Sequence, residues 1–187
     1  MDALADDILD FWLGDGTSAR DEWFRKDPVF DAVIREHFGA PVEAALAGAY
    51  AQWAGEPRDA LALVLLLDQF TRNLFRGTPK MFAGDARALA VADAAVAAGQ
   101  DRALTSFERW FLYMPFEHAE DLGAQDRSLA LFARLADETG IESPHEWAEK
   151  HAAVVRRFGR YPHRNAILGR TSTPEEIAFL ALPGSKF

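Results

Sequence analysis

The chain has 187 residues, enough for one domain with a substantial buried core. Hydrophobic residues at 49% and aromatics at 12% exclude intrinsic disorder. A net charge of −9 disfavours nucleic acid as a partner, and zero cysteines exclude disulfides, thiolate zinc sites, iron–sulfur clusters and cysteine nucleophiles. The opening stretch Met1-Asp2-Ala3-Leu4-Ala5-Asp6-Asp7 is acidic, so it lacks the positive n-region of a signal peptide. Residues 3–13 read as a first helix, with Leu4, Ile8, Phe11 and Trp12 on one side. Residues 28–38 follow, carrying Phe30, Val33, Ile34 and Phe38 at helical spacing, with Gly39 as the stop. Further helices are expected over 41–48, 58–76, 85–98, 105–113, 124–138, 144–158 and 174–181. Short helical pieces fit near 22–25 and 116–121.

Helix-start signals support this map. Ser143-Pro144-His145-Glu146 and Thr173-Pro174-Glu175-Glu176 each read as a capping box with proline at the first helical position. Asp27-Pro28 and Thr78-Pro79 repeat the cap-then-proline signal. Gly14, Gly77, Gly99, Gly140 and Gly159 mark helix ends. No stretch alternates as a half-buried strand would. The expected fold is all-α: a compact bundle of about nine short antiparallel helices, with residues 1–187 as a single domain. Ala60 to Leu67 is apolar on every face, so that helix belongs at the centre. This is the longest apolar run, far short of the roughly 18–20 residues that span a bilayer. A cytoplasmic location with no membrane span is the simplest expectation.

Three strings carry a resemblance: Asp68-Gln69-Phe70-x-Arg72-Asn73, Trp110-Phe111-x-x-Met114-Pro115-Phe116-Glu117-His118, and Phe158-Gly159-Arg160-Tyr161-Pro162-His163-Arg164-Asn165. The opening Ile8-Leu9-Asp10-Phe11-Trp12, the Trp23-Phe24 pair, Thr173-Pro174-Glu175-Glu176 and Phe187 fit as well. From about residue 5 onward the chain resembles the bacterial domain-of-unknown-function family 924. That resemblance implies a tetratricopeptide-like α–α superhelix without a legible repeat consensus, and it implies no activity. Thr71 stands where the resemblance implies proline.

The polar residues of these strings are the candidate site. Asp68, Gln69, Arg72, Asn73 and Arg76 close the central helix. At i, i+4 spacing Asp68 can pair with Arg72, and Arg72 and Arg76 share a face. Two guanidiniums there read either as an anion clamp or as a buried ion-pair network. Pro115 is expected to break its helix, leaving Glu117-His118-Ala119-Glu120-Asp121 at a helix start. Those acids then favour the helix dipole, or Glu117 and Glu120 share a metal. Lys150 to Arg170 holds no Asp or Glu but carries Lys150, Arg156, Arg157, Arg160, Arg164 and Arg170 with His151 and His163. His163-Arg164-Asn165 reads as a loop poised for binding, or as helix C-terminal capping. His145-Glu146 and His151 lack the spacing of a zinc protease. Trp12 and Trp110 read as core, and Trp23-Phe24-Arg25-Lys26 as the rim of a pocket.

These readings predict a cleft for a small carboxylate or phosphate, lined by Asp68, Gln69, Arg72, Asn73, Arg76, Glu117, His118, Arg160, His163, Arg164 and Asn165. Glu117, His118 and His163 are the acid–base candidates. No metal or cofactor is called for. The partner would be a small anionic molecule or, if the fold is an open interaction module, an acidic peptide. The competing reading is a purely structural ion-pair lattice.

Overall fold

The computed structural model describes residues 2–185. Phe187, one of the residues carrying the resemblance, lies outside them. Among the described residues every regular element is helical. The helices are α1 (Ala3–Leu13), α2 (Pro28–Leu46), α3 (Pro57–Val64), α4 (Thr71–Leu74), α5 (Asp85–Ala97), α6 (Ser106–His118), α7 (Leu122–Thr139), α8 (Ser143–Phe158) and α9 (Pro174–Leu180). A π-helical turn, Leu65–Phe70, joins α3 to α4 without a break, so the three form one central rod.

The rod is central for the reason its composition gives. Ala60 to Leu67 are all fully buried, walled by α1, α2, α5 and α6. Trp12, Phe38, Phe70 and Phe111 meet around it at ring separations of 5.2 to 5.5 Å. Trp12 and Trp110 are core residues. Trp23 is too: its indole N–H donates to the Trp12 carbonyl at 2.7 Å, so it does not rim a pocket.

Two expected breaks do not occur. The α2 helix runs through Gly39 and Pro41 to Leu46. Ile34, Phe38, Val42 and Ala45 keep one buried stripe, and its burial outweighs the backbone bond that Pro41 forfeits. Likewise α6 runs through Pro115 to His118, because every residue from Glu108 to Glu117 is buried among neighbours. Glu117 and His118 therefore end a helix rather than start one. The Ser143 box does not form either. That helix starts one residue earlier than expected, so Ser143 already lies inside it and cannot cap. The Thr173–Glu176 box is present, as is one at Thr105–Glu108.

Three-residue connections join α6 to α7 and α7 to α8, and these neighbours pack as antiparallel hairpins. Such stacking is compatible with a tetratricopeptide-like arrangement. No helix among the described residues is long and apolar enough to cross a membrane.

Candidate functional site

The π turn builds the site. It widens the rod at the point where the sequence changes from apolar to polar, and it carries Asp68 and Gln69. Side chains bond the carbonyls of the widened turn. Thr71 Oγ1 donates to Leu67 O at 2.8 Å, and Arg72 donates to Asp68 O at 2.5 Å. Gly84 presses directly against it. A Cβ at residue 84 would lie 2.1 Å from Leu67 O, so only glycine lets the start of α5 come this close. That contact delivers Asp85 to the rod.

Around this point α4, α5, α6, α8 and the loop after α8 converge. The buried Asp68 carboxylate accepts from Gln69 Nε2 at 2.5 Å and His118 Nδ1 at 2.7 Å, and pairs with Arg72 at 3.1 Å. Arg72 also grips Asp85 with two nitrogens, at 2.9 and 3.1 Å. Asp85 receives one long bond, 3.3 Å, from Arg164. The Arg164 guanidinium lies between the rings of Phe82 and Tyr161, 4.7 and 4.6 Å from their centroids. Arg164 is buried, and its Nε has no hydrogen-bond partner among the described residues.

Glu117 forms the floor. Its Oε1 lies 3.2 Å from His151 Nδ1, which also donates to Trp147 O at 2.8 Å. The Tyr161 hydroxyl donates to Glu117 O, and Gln125 Nε2 donates to that hydroxyl at 2.9 Å. The His163 ring stands 5.6 Å from the Tyr161 ring.

Burial sets the charges. It pushes the Glu117 carboxyl up to about 8, helped by the negative Asp68. It pushes His151 down to about 3 and His163 to about 4, the latter helped by Arg164. His118 is lowered by burial and by Arg72. Burial alone would raise Asp68, but Arg72 and His118 beside it hold it below the usual carboxylate range. At neutral pH the cluster thus holds a protonated carboxyl and neutral imidazoles around two Asp–Arg pairs. Asp68 can only accept, so His118 carries its proton on Nδ1 and keeps Nε2 as a basic nitrogen.

The sequence-derived residues divide into three sets. Asp68, Gln69, Arg72, Glu117, His118, His163 and Arg164 come together here. Asn73 and Arg76 point elsewhere, both bonding Asp31 of α2, so Arg72 and Arg76 do not share an anion. Arg160 and Asn165 bond Glu176 of α9. Glu120 turns from Glu117 to Arg170 and the Tyr161 N–H, so the two glutamates share no metal position. Among the described residues no cluster of His, Asp and Glu is arranged to hold a metal ion. The acid-free stretch is largely neutralised from outside. Arg156, Arg157, Arg160 and Arg170 pair with Asp126, Glu175, Glu176 and Glu120. Phe82, Asp85, His151 and Tyr161 complete the cluster, and sequence spacing alone does not point to them as its lining.

Residues 8–184 match a family described as bacterial protein of unknown function (DUF924). The chain is also similar to a solved structure, the protein of unknown function ATU0120 from Agrobacterium tumefaciens. Identity is 44% and the TM-score 0.87, over 96% of this chain and 97% of that one. A comparison with curated proteins found no match. The chain belongs to the DUF924 family.

Proposed function

We propose that this family member binds a small carboxylate or phosphate at Arg164 and exchanges a proton with it through His118 or Glu117. The observation that carries this reading is Arg164 itself. Two aromatic rings hold its planar fork, one long bond ties it to Asp85, and its buried Nε has no hydrogen-bond partner among the described residues. An unmet buried donor costs about 1–3 kcal/mol, which an anion would recover. Arg72 and Asp85 fix the fork's position. His118, oriented by Asp68, offers Nε2 as base, while the protonated Glu117 offers an acid. Groups with displaced protonation, gathered in one place, are a feature of reactive sites.

A structural lattice is the better reading for the two outlying sets. Asp31 is saturated by Asn73 and Arg76, and Glu176 by Arg160, Asn165 and the Thr173 N–H. Those residues are assigned to holding α2 and α9 in place.

Calorimetric titration with a panel of small carboxylates and inorganic phosphate tests the proposal. Saturable binding should weaken roughly tenfold or more in Arg164→Gln, equivalent to one lost charge-assisted bond. Imidazole NMR should show His118 gaining a proton as the anion binds. Equal affinity in wild type and variant, or no saturable binding by any probe, would overturn it.

A further inference from the structure

A cationic pocket opens at the opposite end of α6, some eight residues and about 12 Å along the helix from Glu117. Its volume is about 350 Å³, and Arg102, Arg109, Arg134 and Glu138 line it. The Tyr113 hydroxyl organises its back wall. It donates to Asp101 at 2.6 Å and accepts from Arg109 Nε at 3.1 Å and Arg134 Nη2 at 3.0 Å. Arg134 also bonds Asp101, and Arg109 bonds Glu138, each at 2.5 Å.

The donors exceed what the protein's own acids absorb. Arg109 is nine-tenths buried. Arg134 Nε is buried and has no hydrogen-bond partner among the described residues, its ion pair with Glu138 Oε1 being long at 4.0 Å. Arg102 forms no ion pair among the described residues and stands exposed at the mouth. Three guanidiniums therefore face two carboxylates, a local excess of positive charge on a chain of net charge −9. Among the described residues no apolar side chain lines the cavity, so it suits a charged group rather than a hydrophobic body.

We infer that this pocket binds a phosphate group, carried by inorganic phosphate or by a small phosphomonoester. A phosphate presents several acceptor oxygens at once, matching spare N–H groups on three separate forks, and its second charge offsets the local excess. A carboxylate has two oxygens and could engage only part of the set. The volume leaves room for a short organic group beyond the phosphate.

The experiment is titration of the full chain with inorganic phosphate, O-phosphoserine and acetate, followed by calorimetry. In the Arg164→Gln background, where the site proposed above is disabled, phosphate and O-phosphoserine should bind saturably, and acetate should bind at least tenfold more weakly. Arg102→Gln and Arg134→Gln should each weaken phosphate binding roughly tenfold. Arg102 has no partner to lose, so its variant remains a fair test even if Arg134→Gln loosens the Tyr113 network. Arg164→Gln disables the site proposed above, so one phosphate-binding event should persist in it and should be the one lost in Arg102→Gln, which separates the two proposals. Tighter binding of O-phosphoserine than of phosphate would assign the pocket to an organic phosphate, and the reverse order to the free ion. Absence of saturable phosphate binding up to about 10 mM, insensitivity to both arginine variants, or loss in Arg164→Gln alone would overturn the inference.

Discussion

Replacing Glu117 by glutamine removes one titration and keeps the side chain's shape. Glu117 is fully enclosed, and burial together with Asp68 moves it from 4.5 to about 8. Between those values the folded chain keeps a proton that the unfolded chain has released. Stability then falls as pH rises, by about 1.4 kcal/mol per unit. The whole contribution is present below pH 4.5, drains away up to pH 8 and is flat beyond. Across that window the wild type should lose about 5 kcal/mol relative to Glu117→Gln. The lowered histidines act in the acid range and are common to both proteins, so the difference cancels them to first order. Urea unfolding of both proteins from pH 5 to pH 9 measures the effect. In a chain of this size it corresponds to about 3–5 °C in Tm per pH unit. A gap between the two curves that stays constant within about 0.5 kcal/mol would refute the reasoning. Glu117 would then be ionised in the fold, as a true ion pair with His151.

Two further outcomes follow from the packing. Gly84→Ala should destabilise by about 2–3 kcal/mol, since the added methyl meets the Leu67 backbone rather than a side chain that can turn aside. Chemical denaturation reads this, and a loss under about 0.5 kcal/mol would mean that α5 shifts freely off the π turn. A double-mutant cycle on Arg76→Ala and Asp31→Ala should give a coupling of about 1 kcal/mol, modest because Arg76 is one-third exposed. Neither variant should alter anion affinity at Arg164. A change there would place the Asp31 network inside the site.

Much of the fold could be read from periodicity and caps, because Ala60 to Leu67 is apolar on every side and Asp27 and Thr173 are strong start signals. Prolines and glycines misled. Pro41, Gly39 and Pro115 sit in helices whose burial overrides local preference, which a local signal does not register. The Asp68–Arg72 pair is a neighbour relation along a helix, so spacing found it. Asp85 is not. In sequence it is an ordinary first-turn acid, and its role depends on Gly84 fitting beneath Leu67 O. Tyr161 and His151 lie in the acid-free stretch, and both are held in the cluster by contacts over distances no motif encodes. Arg76 shows the converse. One turn beyond Arg72, it faces a different helix and a different acid.

The π turn adds one residue to a helical period, and that makes it a phase shift. Upstream of it the rod keeps step with α1, α5 and α6. Downstream, every side chain is set back by about 100° from where an unbroken α-helix would put it. Deleting one residue between 65 and 70 would restore regular geometry and leave composition almost intact. It would also turn Asp68 from His118, or turn Arg72 from Asp85. Thr71, where relatives are expected to carry proline, stands at the end of this offset, where strict α-helical bonding has already lapsed. Length, counted to the single residue, is therefore under tighter constraint in this segment than the identity of its apolar side chains.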